Sequence, residues 1–399
     1  VGKEILGMGF FEFIKANKPL IGSKRYALNQ LRGYLSKEDL RKIKRAVNFG
    51  LVSFTNATLG LSKEIAEDKL FPSLSPLKTD KKTREFVDRM NEKIEESVFE
   101  SLFKDFSKRA WEVIPKYVAY KLHGLELIKQ AITLQMFSQG VHILLLGDPG
   151  TGKTEFLQSV EKLYPKTSFG LGSGTTGVGL AVTVRGKQVK PGLLPMANNG
   201  ICCIDELNLM KKEDYASLYS AMEKGFITYD KGGSHYRFEA NVRILATANP
   251  IGDKFRGTTR DAIVRQLPFE SALLSRFTLV FLIRKPDLKT FIKIASDIVT
   301  KSKKQLKEGD VEFIRRYISF AEGLEVEFPK RFKAKVMAFS KEIKLAEDKF
   351  FFEVSPRLIH GLMNLSIAHA RLHLRREVNS DDIAKARSII LSALENKVS

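Results

Sequence analysis

Eight residues constrain this chain more than any others. Gly147-Asp148-Pro149-Gly150-Thr151-Gly152-Lys153-Thr154 fits the G-x-x-x-x-G-K-[ST] pattern and directly follows the apolar run Val141-His142-Ile143-Leu144-Leu145-Leu146. A strand, a glycine-rich turn and a helix opening at the lysine together make a phosphate cradle. The glycines let backbone N–H groups close around phosphate oxygens, Lys153 reaches the β and γ oxygens, and the Thr154 hydroxyl holds Mg2+. The positive end of the helix that starts near Lys153 strengthens the same field. Short apolar runs separated by helical or Gly-rich stretches predict an α/β fold with a buried parallel sheet.

Two further strand ends supply the rest of a hydrolytic site. Gly200-Ile201-Cys202-Cys203-Ile204 ends in Asp205-Glu206. An Asp there can order the Mg2+ shell, and the Glu beside it can orient and deprotonate an attacking water. The third run, Val242-Arg243-Ile244-Leu245-Ala246-Thr247, leads into Ala248-Asn249-Pro250. The Asn249 amide can position that water or sense the γ-phosphate. The acidic pair argues for hydrolysis rather than nucleotide binding alone.

Composition removes several other classes. The two cysteines, Cys202 and Cys203, are adjacent and can build neither a disulfide framework nor a four-ligand zinc site. Val141–Leu146 is too short to span a bilayer, and the opening residues lack a signal-type core. The expectation is a soluble, intracellular protein with no membrane partner, cytoplasmic in a prokaryote or nuclear in a eukaryote. A net charge of +20, from 66 Lys+Arg against 46 Asp+Glu, points to phosphate-rich or acidic partners or to a Lys-rich solvated surface. Arg41, Lys42, Lys44 and Arg45 form the densest basic cluster of the N-terminal region.

Three segments are expected. Residues 1–115 carry amphipathic helical tracts such as Lys37–Arg45 and Glu85–Phe103, with Phe71-Pro72-Ser73-Leu74-Ser75-Pro76 as a connector. Residues 116–286 hold the α/β core. Residues 287–399 are helical again, over Val311–Gly323, Lys333–Asp348, Pro356–Arg376 and Asp381–Glu395.

Taken in order, the motifs resemble those of the AAA+ ATPases and, more specifically, the minichromosome maintenance (MCM) helicase family. Gly200–Glu206 is similar to that family's acidic motif and Leu273-Leu274-Ser275-Arg276-Phe277 to its arginine-finger motif. His123-Gly124-Leu125-Glu126-Leu127-Ile128-Lys129 resembles the segment that opens its ATPase domain. Ser355-Pro356-Arg357-Leu358, with Ala368-His369-Ala370-Arg371, resembles its sensor-2 helix.

The resemblance covers roughly residues 115–399. It implies an AAA+ P-loop core with β-hairpin inserts, a C-terminal helical lid and an atypical, reduced helical N-terminal region. By it, Gly147 through Thr154 bind ATP, Thr154 and Asp205 serve Mg2+, and Lys153, Glu206, Asn249, Arg276 and Arg357 carry catalysis. Arg276 and Arg357 would reach the nucleotide of a neighbouring subunit, where charge on the transferred phosphoryl group favours a guanidinium. The implied assembly is a homo-oligomeric ring of six. Its expected partners are single- or double-stranded DNA and replication proteins.

Two inserts resemble MCM features. Gly170–Leu180 followed by Val182-Thr183-Val184-Arg185-Gly186-Lys187-Gln188-Val189 is similar to the helix-2 insert, and Phe226–Phe238 to the hairpin preceding the Asn249 strand. Arg185, Lys187 and, at the second tip, Lys231 are the DNA-contact candidates, able to grip backbone phosphate without reading bases. Two departures stand out. Thr278 follows Arg276-Phe277 where the family usually has Asp, and Leu267–Ser271 differs from the usual approach to that motif; both bear on the subunit interface. A remodelling or chelatase-like ATPase, and a non-unwinding MCM regulator, remain alternatives to a DNA motor.

Overall fold

The computed structural model describes residues 24–66, 70–174, 177–185, 188–231, 234–257, 259–289, 291–292, 296, 306–351 and 354–396. The chain divides into two compact units, Val1–Phe106 with Lys307–Phe313, and Ser107–Leu306 with Ile314–Ser399.

The first unit contains helices α1 (Lys24–Leu31) and α2 (Lys37–Asn48), strands β1 (Val52–Ala57) and β2 (Phe71–Pro76), and helix α3 (Lys81–Phe106). Its core joins Leu31, Ile43, Val47, Val52, Phe71, Leu74, Met90 and Ile94. The segment expected to be a connector, Phe71–Pro76, is instead a strand paired antiparallel with β1. Phe71 and Leu74 are buried and drive the pairing. Pro72 and Pro76 are tolerated because a two-stranded ribbon has only edges. Asn91 on α3 satisfies the free side of β2, accepting from Leu74 N–H at 2.8 Å and donating to its carbonyl at 2.9 Å.

The second unit is built on a five-stranded parallel sheet. Helix α4 (Glu126–Phe137) leads into β3 (Ile143–Gly147), and α5 (Lys153–Leu163) follows. The other strands are β4 (Thr167–Leu171), β7 (Ile201–Asp205), β10 (Arg243–Ala248) and β11 (Leu279–Ile283), in the order β11-β3-β10-β7-β4. Strands β3, β7 and β10 are the apolar runs read from the sequence. Strands β4 and β11 escaped that reading: β4 runs into a glycine-rich insert, and β11 continues directly from the arginine motif.

Two hairpins leave this sheet. β5 (Val182–Arg185) pairs with β6 (Gln188–Pro191). Helix α6 (Tyr215–Lys224) turns at Gly225 into β8 (Phe226–Lys231), which pairs with β9 (Ser234–Glu239). Four helices follow in the chain: α7 (Glu308–Glu322), α8 (Lys333–Leu345), α9 (Arg357–Leu372) and α10 (Ser380–Leu394). No helix among the described residues is long and apolar enough to cross a membrane.

Candidate nucleotide site

All five strands are parallel, so their carboxyl ends share one edge, where loops of open α/β sheets collect ligands. β3 delivers the glycine-rich loop to that edge. Gly147 must lack a side chain because a Cβ there would lie 2.2 Å from the Ile283 carbonyl oxygen. Gly150 and Gly152 adopt left-handed backbone at φ 77° and 80°, which aims successive N–H groups into one concavity. Gly152 also lies against the Leu122 side chain, whose methyls would have to shift to admit a Cβ. Leu122 belongs to the turn before α4, held by the buried Lys129 ammonium donating to its carbonyl at 2.8 Å.

Within the loop, Lys153 is buried and donates to the carbonyls of Gly147 and Asp148, both at 2.8 Å. Burial lowers its pKa, against the opposing pull of Asp148, Asp205 and Glu206. The Thr151 hydroxyl donates to the Asp148 carbonyl at 2.8 Å. Asp148, expected among the nucleotide-binding residues, spends its carboxylate on the protein: it accepts from Phe255 N–H at 2.8 Å and Lys285 N–H at 3.1 Å. It braces the loop. Pro149 and Gly150 are exposed at the crest.

Asp205 ends β7 and is buried. One carboxylate oxygen accepts from the Thr154 hydroxyl at 2.9 Å, the other from the Thr247 hydroxyl at 2.5 Å. Thr247 in turn accepts from Glu206 N–H at 2.9 Å. Glu206 itself takes left-handed backbone, φ 54° and ψ 48°, which turns it out of the strand line. Gly172 allows this turn, because a Cβ at 172 would stand 2.1 Å from the Glu206 carbonyl oxygen. Asn249 follows β10, its N–H held by Asn208 Oδ1 at 2.9 Å. The structure therefore brings Lys153, Thr154, Asp205, Glu206 and Asn249 to one edge. Thr154 and Asp205 supply the hard oxygen donors that Mg2+ prefers.

Arg276 and Arg357 are not at that edge. Arg276 precedes β11, whose first residue Leu279 pairs with Ile143 and whose last, Ile283, pairs with Gly147. Four strand steps, about 13 Å at ~3.3 Å per residue, separate Arg276 from the level of the loop. Arg357, the first residue of α9, joins it: Glu223 Oε1 on α6 accepts from Arg276 at 2.9 Å and from Arg357 at 2.5 Å. The Arg276 guanidinium also lies 4.3 Å from the Tyr219 ring centre, a cation–π contact. Glu223, Tyr219, Thr247 and Asn208 were not singled out from sequence. For Thr247, a polar residue in an apolar strand was the available signal.

Thr278 is buried and serves packing. Its hydroxyl accepts from His142 N–H at 3.2 Å, and its methyl would clash, at 2.5 Å, with any Cβ at Gly361 of α9. Lys231 ends β8 opposite Ser234, and Arg185 ends β5 opposite Gln188. Lys187 lies outside the described residues.

The sequence was then compared with known proteins. Residues 99–302 match the MCM P-loop domain and residues 312–394 the MCM AAA-lid domain. The chain is 30% identical over 352 residues to DNA replication licensing factor MCM4 of Drosophila melanogaster, covering 83% of this chain and 39% of that protein. It is 29% identical over 373 residues to mcm4 of Schizosaccharomyces pombe, covering 84% and 39%. It is 28% identical over 305 residues to mcm7-B of Xenopus laevis, covering 69% and 42%. The chain thus spans about two fifths of the length of these relatives. A matching P-loop domain over half of the chain, followed in order by the matching lid, establishes that it belongs to the MCM family.

Proposed function

We propose that this chain is an ATP-hydrolysing MCM motor that acts on DNA as an oligomeric ring, with each active site shared between two subunits. The observation that carries this reading is the separation of cradle and arginines on opposite edges of one sheet. A chain cannot bring its own Arg276 to its own loop without dismantling β11, but a neighbour's arginines can complete the site. The licensing-factor names of the relatives support replication as the setting.

The chemistry follows from the residues. The amides of the loop and Lys153 hold the β- and γ-phosphates, Lys153 exchanging two carbonyl contacts for phosphate oxygens. Mg2+, when bound, neutralises charge on those oxygens. Thr154 and Asp205 would hold it, and Thr247 keeps the Asp205 carboxylate turned toward them. Asn249 orients a water, whose oxygen attacks the γ-phosphorus as the bond to the ADP oxygen breaks. Glu206 accepts the water's proton. Arg276 and Arg357 of the adjacent subunit stabilise the charge on the moving phosphoryl group. Lys231 and Arg185, at the ends of β8 and β5, contact DNA phosphates, as does Lys187, two residues after Arg185 in the chain.

The test is the ATPase rate with and without single- and double-stranded DNA, alongside the mass of the particle in each condition. DNA is expected to raise turnover in a species several chains in size. Glu206→Gln should lower turnover by roughly 10²–10⁴ while ATP still binds. A monomer whose hydrolysis ignores both DNAs would overturn the reading.

A further inference from the structure

The first unit has a second candidate surface, remote in sequence from the hairpins. Its helices α1 and α2 are joined by the turn Arg32–Ser36, which contains Gly33, and the β1–β2 ribbon follows α2 after three residues. Two short helices joined by a tight, glycine-containing turn are the frame of a helix–turn–helix, whose second helix enters the major groove of DNA.

Helix α2 is divided cleanly between two faces. Asp39, Ile43, Ala46 and Val47 are buried, whereas Lys37, Arg41, Lys44, Arg45 and Asn48 are exposed. Residues 37, 41, 44 and 48 are spaced to form one stripe along the outer face, and Arg45 stands beside it. Among the described residues Lys37, Arg41, Lys44 and Arg45 make no ion pair, while Lys42 is paired with Glu38 at 2.5 Å. Lys24, Arg25 and Arg32, on α1 and the turn, are also exposed and make no ion pair among the described residues. Exposed Glu38, with its partner Lys42, lies beside this stripe, and the stripe itself carries no acid.

The buried side is braced against movement. Ser36 caps α2, accepting from Asp39 N–H at 3.1 Å, and the Asp39 carboxylate accepts from Lys93 of α3 at 3.0 Å. Ser97 of α3 donates to the Tyr34 carbonyl in the turn at 2.7 Å. α3 therefore fixes both the turn and the start of α2. The three cations of the stripe, with Arg45 beside them, thus stand on a helix whose backbone is already fixed before it meets a phosphate lattice.

We propose that residues 24–48 form a helix–turn–helix module that binds duplex DNA, with the Lys37–Arg41–Lys44 face of α2 in the major groove. Lys37 and Arg41, nearest the start of the helix, face the base edges, and Lys44 and Arg45 face the flanking phosphates. Lys24, Arg25 and Arg32 contact the backbone from α1. This contact is separate from the hairpins of the second unit, so duplex binding here and motor activity there can fail independently.

The experiment uses the full chain and a fluorescent mixed-sequence duplex of about 25 base pairs, titrated over a range of salt. Lys44→Ala with Arg45→Ala should weaken duplex binding and lower the salt slope by about 2, roughly one per lost phosphate contact. A control removing equal charge elsewhere, Lys333→Ala with Lys341→Ala, should leave both unchanged. Unaltered basal ATPase and circular dichroism confirm that the α2 variant is folded. The proposal is overturned if parent and α2 variant bind duplex with the same affinity and salt slope, or if the control loses as much. It is equally overturned if the α2 variant loses binding to single-stranded DNA and not to duplex.

Discussion

The two edges of the parallel sheet handle charge in opposite ways. At the carboxyl edge, acids and a lysine are tied into a closed set: Asp205 accepts from two hydroxyls, Asp148 from two backbone N–H groups, and Lys153 rests on two carbonyls. At the amino edge, two arginines share one acid. Glu223 takes both Arg276 and Arg357 on a single oxygen, while Arg243, at the start of β10, is buried against main-chain carbonyls and Tyr164. The carboxyl edge is a preorganised receptor for a polyanion with its metal. At the amino edge the Arg276 and Arg357 guanidiniums are held by Glu223, and Arg276 also lies over the Tyr219 ring. The difference teaches why a single chain keeps its cradle and its Arg276–Arg357 pair apart: the strands between them fix the two at opposite ends of the sheet.

The largest effect should come from splitting the edges between molecules. Arg276→Ala is expected to lower hydrolysis by about 10³ or more, and Lys153→Ala to abolish nucleotide binding. Mixed in equal amounts, the two inactive variants should regain activity, since some interfaces then pair an intact cradle with an intact arginine. If mixing restores nothing, the two edges do not meet between subunits.

A smaller effect is expected from Glu223→Gln, which keeps an acceptor but removes the charge that holds two like-charged arginines together. Turnover should fall about tenfold through their misplacement, with KM for ATP unchanged because the cradle is untouched. Equal turnover in variant and parent would mean that packing, including the Tyr219 ring, aims the arginines without Glu223.

The smallest effect concerns pH. His142, at the amino edge of β3, is pushed down to about 4 by burial, with Arg357 and Arg243 pressing the same way. Its Nδ1 accepts from Ile244 N–H at 3.1 Å, which requires an unprotonated nitrogen. The unfolded chain takes a proton near the ordinary value of 6.5, the folded chain only near 4. Stability is therefore lost as pH falls through that window. His142→Asn, which keeps an acceptor, should shrink the fall in Tm between pH 7 and pH 5 by a few degrees. An unchanged pH profile would place the loss on other groups.

Much of the carboxyl edge was legible in the sequence because backbone geometry ties each functional residue to a strand end. Lys153, Thr154, Asp205, Glu206 and Asn249 each sit within two residues of a short apolar run or its loop, and parallel pairing aligns those runs. The N-terminal ribbon was not legible. Phe71–Pro76 has two prolines and two serines, a turn-like composition, and becomes a strand because Phe71 and Leu74 find a core and Asn91 covers the backbone. Strand β11 was hidden behind the motif that precedes it.

The sequence by itself determined the local chemistry: a glycine loop that must adopt left-handed backbone, an acid pair at a strand end, arginines in a recognisable order. Only the tertiary structure decided which of these meet. It placed Arg276 and Arg357 on one carboxylate from a third helix, used Asp148 as a brace and Thr247 as a support for Asp205, and turned the basic run of residues 41–45 into an exposed face on a braced helix. Side-chain partners depend on contacts between residues far apart in the chain, 134 positions for Glu223 and Arg357. Local propensity carries no information about such separations.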